Sequence, residues 1–140
     1  AKEAKRLGAD LVVVHGESIV EPVEPGTNWA AVNCPEVDIL AHPGLLTEAE
    51  AECAAANGVF LELSARRGHA LTNGHVAALA RRTGAALLIN SDSHQPADLL
   101  TWEFVSQVGR GAGLNTAELE EVMRTAPQKL LRKLEGCAKG

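Results

Sequence analysis

Metal-competent side chains recur at one kind of place in this sequence, the C-terminal end of a short apolar run. His15 closes Val12-Val13-Val14, His42 closes Asp38-Ile39-Leu40-Ala41, Glu62 lies near the end of Val59 to Leu63, and Asp92 with His94 follows Ala86 to Asn90. Neutral imidazole and carboxylate are the usual ligands of Zn²⁺, Mn²⁺ and Fe²⁺, and an Asp-x-His pair offers two ligands from one extended loop. The chemistry within reach is therefore that of a divalent transition metal. Each position also has a plainer reading. A histidine at a strand end is commonly just hydrogen-bonded or exposed, Pro43-Gly44 makes His42 the start of a turn, and Ser91-Asp92-Ser93-His94 resembles a helix-capping cluster before Asp98. Repetition at equivalent positions favours the metal. Glu17, beside His15, is read as a solvated loop acid.

A second group of polar residues lies beyond the third run. Arg66-Arg67-Gly68-His69 and Thr72-Asn73-Gly74-His75 form a basic loop that leads into a helix. Unpaired N–H groups and the dipole at a helix start, together with bidentate arginine contacts, suit a phosphate oxyanion. The competing reading makes the arginines surface charges and Asn73 a helix cap. Gly109, Gly111 and Gly113 in GRGAG are set aside as a phosphate loop, because that stretch follows a helix where the dinucleotide fingerprint requires a strand.

The elements that must position these groups follow from periodicity. Leu11–His15, Asp38–His42, Val59–Leu63 and Ala86–Asn90 are near-continuous apolar runs, the pattern of parallel strands buried on both faces. Helical stretches over Lys2–Leu7, Trp29–Val32, Glu48–Ala56 and Gly74–Thr83 separate them. Thr47 with Glu50 reads as a capping box, and Gly8, Gly58 and Gly84 mark helix exits. Lys2, Lys5 and Arg6 read as a solvated helix face. The prediction is a single α/β domain: βα units over residues 1–98, then a helical tail over 99–136 comprising Leu99–Val108, Thr116–Arg124 and Pro127–Leu134. Parallel α/β sheets and barrels gather functional groups at the strand C-termini, so the scattered residues should converge there.

Composition narrows the partners. The chain has 140 residues, 46% hydrophobic and 22% charged, a balance suited to a folded core. Its 13 basic against 18 acidic residues give a net charge of −5, which argues against bulk nucleic-acid binding but leaves room for a local cationic pocket. Aromatic residues make up 3% of the chain, which provides poorly for base stacking. No apolar stretch approaches the ~20 residues of a membrane span, and the first residues lack a signal-peptide pattern. Cys34, Cys53 and Cys137 show no CxxC spacing, which points to reduced thiols and a cytoplasmic setting.

Taken in order, Val12-Val13-Val14-His15, Asp38-Ile39-Leu40-Ala41-His42-Pro43-Gly44, Leu61-Glu62-Leu63 and Asn90-Ser91-Asp92-Ser93-His94 resemble the later motifs of the polymerase and histidinol phosphatase (PHP) family of metal-dependent phosphoesterases. The resemblance covers roughly residues 1 to 110. It implies part of a distorted (β/α)7 barrel with two or three Zn, Mn or Fe ions at the strand ends and His15, His42, Asp92 and His94 as ligands. The implied activity is hydrolysis of a small phosphomonoester, as in a histidinol-phosphatase-like enzyme, by a metal-activated water. Arg66 or Arg67 would hold the phosphate charge, and His94 or His69 would protonate the leaving oxygen, His69 being the better candidate because a metal ligand cannot serve freely as an acid. The family's opening His-x-His motif has no counterpart here, so the chain is expected to be the C-terminal part of a larger barrel that forms an oligomer or recruits a complementing N-terminal segment. Two other readings accompany this one: a non-catalytic module with a structural or partner-binding role, and an amidohydrolase-type C–N hydrolase. The latter is disfavoured because no lysine stands at a strand end.

Overall fold

Each of the four apolar runs forms a strand. In the computed structural model, which describes residues 1–137 with side chains through Glu135, β1 (Val13–His15), β2 (Ile39–Ala41), β3 (Phe60–Ser64) and β4 (Leu87–Asn90) make one parallel sheet in the order β1-β2-β3-β4. The thiol of Cys137 lies outside the described side chains; Cys34 and Cys53 are free thiols. Between the strands run α2 (Thr27–Val32), α3 (Glu48–Asn57) and α4 (Asn73–Thr83), and α1 (Lys2–Arg6) precedes β1. The architecture is α/β, consistent with part of a β/α barrel.

Side chains alternate across a strand, so a sheet covered on both sides sends neighbouring residues into different cores. Leu40, Leu61 and Leu87 pack with Val32, Ala51, Ala54, Val76 and Ala80 from the connecting helices. Their neighbours Ile39, Phe60 and Leu88 meet Ala126 and Leu130 of α7 (Ala126–Cys137) on the opposite face. A parallel sheet normally places crossover helices on its faces; here the C-terminal helix covers one of them.

The punctuation read from the sequence is largely present. Thr47 and Glu50 form the reciprocal capping box of α3, and Gly58 and Gly84 adopt left-handed conformations at the ends of α3 and α4. Asn115 caps α6 (Thr116–Glu120) with Glu118. Three expectations need correction. Asn73 does not cap α4: its side chain is buried and bonds both the N–H and the carbonyl of Ser64. Helix α5 spans Trp102–Gly111 instead of beginning at Leu99, because Pro96–Asp98 forms a 3₁₀ turn and Thr101 supplies the cap. The helix expected over Thr116–Arg124 passes through a π-helical turn at Glu121–Thr125 before α7. Pro127 has no N–H to give the carbonyl of Met123, and the widened turn carries the helix past that lost bond.

Lys5 is also not a solvated side chain. Its ammonium lies 2.9 Å from the buried carboxylate of Asp38, which accepts the Val12 N–H and meets Lys133 of α7 at 3.1 Å. One carboxylate thus fastens α1, the start of β2 and α7. Burial pushes the Asp38 pKa up, but the Val12 N–H and the two lysines outweigh it and hold the group below its ordinary range. A folded-state pKa below the unfolded one stabilises fully above the unfolded value and loses that effect as pH falls through the folded one. Stability should therefore decline with acidification below about pH 4, and Asp38→Asn should flatten the decline in urea titrations at stepped pH. Equal slopes in both proteins would refute the linkage.

Among the described residues no helix is long and apolar enough to cross a membrane. Both sheet margins are open, and Val13 on the β1 edge is 51% exposed.

Candidate functional site

Strand register brings the polar groups together. His15 pairs with Ala41 across β1 and β2, and continuing from Leu40 opposite Leu61 sets Ala41 beside Glu62. His42 follows at once, with a φ of 31°, in the left-handed region that non-glycine residues seldom adopt. Beyond β3, Gly68 at φ 91° turns the chain into a 3₁₀ helix, His69–Thr72, whose first residue points back at the strand ends.

The outcome is a cluster of three imidazoles. The rings of His15 and His42 lie 4.3 Å apart and nearly perpendicular, those of His42 and His69 stack at 4.1 Å, and His15 and His69 are separated by 6.0 Å. His42 and His69 are buried at 5% and 2% exposure. Each ring has its Nδ1 occupied. His15 Nδ1 is 2.8 Å from the Gly16 carbonyl, His42 Nδ1 is 2.8 Å from Glu62, and His69 Nδ1 is 2.6 Å from the Ser18 hydroxyl. The loops that carry the rings are themselves pressed together. A Cβ on Gly16 would come within 2.7 Å of both the Ala41 carbonyl and the Pro43 Cα, and one on Gly44 would overlap the Glu17 carbonyl.

Glu62 anchors the centre from beneath. It is 2% exposed and accepts both the backbone N–H of His42, at 2.6 Å, and its Nδ1–H. That contact assigns the proton to Nδ1 and leaves the Nε2 lone pair facing inward. Among the described residues, Nε2 of His42 is the buried side-chain polar atom without a hydrogen-bond partner. An unpartnered buried acceptor ordinarily costs free energy, and this lone pair is free to take a ligand.

The rim is acidic and partly neutralised. Glu21 lies 3.0 Å from His15 Nε2 and 3.5 Å from His69 Nε2, while Asp92 lies 3.9 Å from His69 and pairs with Arg66. Burial lowers the His15 pKa, yet the Glu21 hydrogen bond and the Gly16 carbonyl overcome it and the net shift is upward. For His69, burial and then neighbouring His42 push the pKa down. Burial raises that of Asp92, but Arg66 reverses the sign.

The expected ligands do not all meet. His15 and His42 join the cluster. Asp92, at a φ of 48°, reaches its edge but is engaged by Arg66. His94 stands apart: its Nδ1 donates to the Asp92 carbonyl at 2.7 Å, its N–H goes to Asp98, and the residue is exposed. Arg66 contacts Asp92 and Glu21, Arg67 is exposed, and His75 turns away to the Leu46 carbonyl. His69 and Glu21 as partners of His15 had no signal in spacing, since neither ends a strand. Among the described residues, His15, His42 and His69 are the group whose potential ligand atoms all lie within 4.8 Å of one another. Three imidazoles with a carboxylate on the rim are a donor set for Zn²⁺ or a similar ion.

The fold and site define a parallel β/α protein with an imidazole centre at the C-terminal edge of its sheet. The chain is 51% identical over 134 residues to an uncharacterized protein of Methanocaldococcus jannaschii, a match that covers 96% of this chain and 62% of that protein. It is 29% identical over 143 aligned positions to ribonuclease P protein component 3 of Methanosarcina acetivorans and of Methanosarcina mazei, covering 91% of this chain and 57% of each relative. The chain thus spans about three fifths of the curated relatives it matches. No family model matches it, and neither does any solved structure.

These relatives overturn the enzymatic expectation. Those that carry a functional name are protein components of an RNA-processing ribonuclease, not phosphomonoester hydrolases. The roles assigned to His69 as acid and to Arg66 and Arg67 as phosphate clamps fall with it. So does the pairing of a small phosphorylated substrate with an absence of nucleic acid among the partners. The physical reason for the error is plain: strand-end histidines report a shared scaffold and its metal-competent edge, not the use made of it.

Proposed function

We propose that this chain belongs to a protein component of an RNA-processing assembly related to ribonuclease P, and that it contributes by binding and not by catalysis. The observation that carries this reading is the similarity to two ribonuclease P protein components over 91% of the chain. The state of the strand-end charges supports it. Arg66, the cation nearest the cluster, is consumed by Asp92 and Glu21, which leaves little positive potential for a small phosphate. With a net charge of −5, RNA contact would be local and shared with partner proteins, through exposed cations such as Arg67 and Arg110 that make no ion pair among the described residues.

The test is co-purification of the full-length tagged protein from its native cells at moderate salt. A defined RNA should be recovered together with protein partners, and nuclease treatment should release part of the assembly. Recovery of RNA no greater than from an untagged control, with the protein alone in the eluate, would overturn the proposal.

A further inference from the structure

We propose that the chain holds one divalent transition metal ion, of the Zn²⁺ class, through His15, His42 and His69 with the Glu21 carboxylate as fourth donor, and that this ion fastens three βα loops together. This ligand set differs from the one implied by resemblance, which would replace His69 and Glu21 with Asp92 and His94.

Four observations converge on it. The three rings each offer a nitrogen within 4.8 Å of the others. Their Nδ1 atoms are held by Gly16, Glu62 and Ser18, which leaves Nε2 of each to take an ion. His42 Nε2 is buried with no partner. Glu21 sits at 3.0 Å and 3.5 Å from the other two Nε2 atoms. A carboxylate or carbonyl behind each ligating imidazole is the usual means of fixing its tautomer and orientation, and Glu62 and Gly16 supply that support here. Four protein donors are the number found in closed structural zinc sites, whereas catalytic sites keep a position open. The alternative donors are placed less well: Asp92 is paired with Arg66, and His94 is exposed with its Nε2 3.5 Å from the Arg66 guanidinium. The ion would join the loop after β1, the end of β2 and the 3₁₀ turn after β3, segments otherwise linked by few backbone hydrogen bonds.

The experiment uses the whole chain, stripped by chelation and titrated with Zn²⁺ and Co²⁺. Expected are one ion per chain by elemental analysis, a rise in the melting temperature on loading, and the intense visible Co²⁺ absorption of a four-coordinate site. His69→Ala and Glu21→Gln should weaken Co²⁺ binding, by more than about 100-fold for the imidazole. Asp92→Asn and His94→Ala should leave it within about threefold of wild type, well below even the loss of a supporting group. Should His69→Ala fail to fold, His69→Cys supplies a ligand at the same position and must add a near-ultraviolet sulfur-to-cobalt band. The proposal is overturned if the folded chain takes up no ion or more than one. It also falls if His94→Ala or Asp92→Asn abolishes binding while His69→Ala retains it, or if His69→Cys binds Co²⁺ without the new band.

Discussion

Gly44→Ala is expected to be among the most damaging single substitutions in this chain, costing at least about 3 kcal/mol of stability. Two effects combine at that position. Gly44 has a φ of 64°, where any side chain adds strain, and a Cβ there would overlap the carbonyl oxygen of Glu17. The obstacle is backbone, so no rotamer change relieves it. To make room, the loop after β1 must separate from the turn after β2, and these are the segments that carry His15 and His42. The loss would be a large share of the roughly 5–15 kcal/mol that holds a domain folded. Denaturant unfolding of the variant against wild type measures it, with Gly58→Ala as the reference: its φ is also 64°, but a Cβ there meets open space. If both substitutions cost the same, backbone conformation alone accounts for Gly44 and the loops are not tightly apposed.

Glu62→Ala carries the second large effect, for an electrostatic reason. Glu62 is the acceptor for two buried donors of His42, the backbone N–H and Nδ1–H. Its removal leaves both without partners in a site from which water is excluded. Leaving a buried donor unsatisfied typically costs about 1–3 kcal/mol, so removing the shared acceptor of both should cost about 2–6 kcal/mol. Glu62→Gln retains a carbonyl oxygen able to accept one of the two bonds and should recover part of the loss. Equilibrium unfolding of the two variants gives the comparison, and a cost below about 1 kcal/mol for the alanine variant would mean that Glu62 does not anchor His42.

The parts of the molecule that were legible in the sequence are those with local causes. The strand buried on both faces announced itself as Val-Phe-Leu-Glu-Leu, and Thr47 with Glu50 announced the start of α3, whereas Leu-Val-Val-Val, read the same way, forms an edge strand with Val13 half exposed. His15, His42 and Glu62 could be placed because a parallel register aligns strand ends. The cluster's third ring could not. His69 arrives through Gly68 and a 3₁₀ turn, and its proximity to His42 depends on how far that turn folds back over the sheet. Lys5 and Asn73 failed for a related reason. Surface-type residues, Lys5 half-buried and Asn73 buried, became partners of Asp38 and Ser64 through packing that no periodicity encodes. Chemistry was the least legible of all, since the same strand-end histidines serve an enzyme or a binding protein equally well.

The order of the sheet bears on how the chain reaches this structure. Each strand lies beside its successor in sequence: Val13 pairs with Ile39, Ile39 with Phe60 and Leu61 with Leu87, separations of 26, 21 and 26 residues. No strand must wait for a distant one, and loop-closure entropy is paid in equal small steps. Assembly of these units can therefore proceed from β1 onward as the chain emerges during synthesis, each βα unit docking on the one before. The far-reaching contacts belong to α7, which meets Ile39 and Phe60 across the sheet and Asp38 through Lys133. Among the described residues that helix comes last in sequence, so the face of the sheet that carries Ile39, Phe60 and Leu88 stays uncovered until it docks.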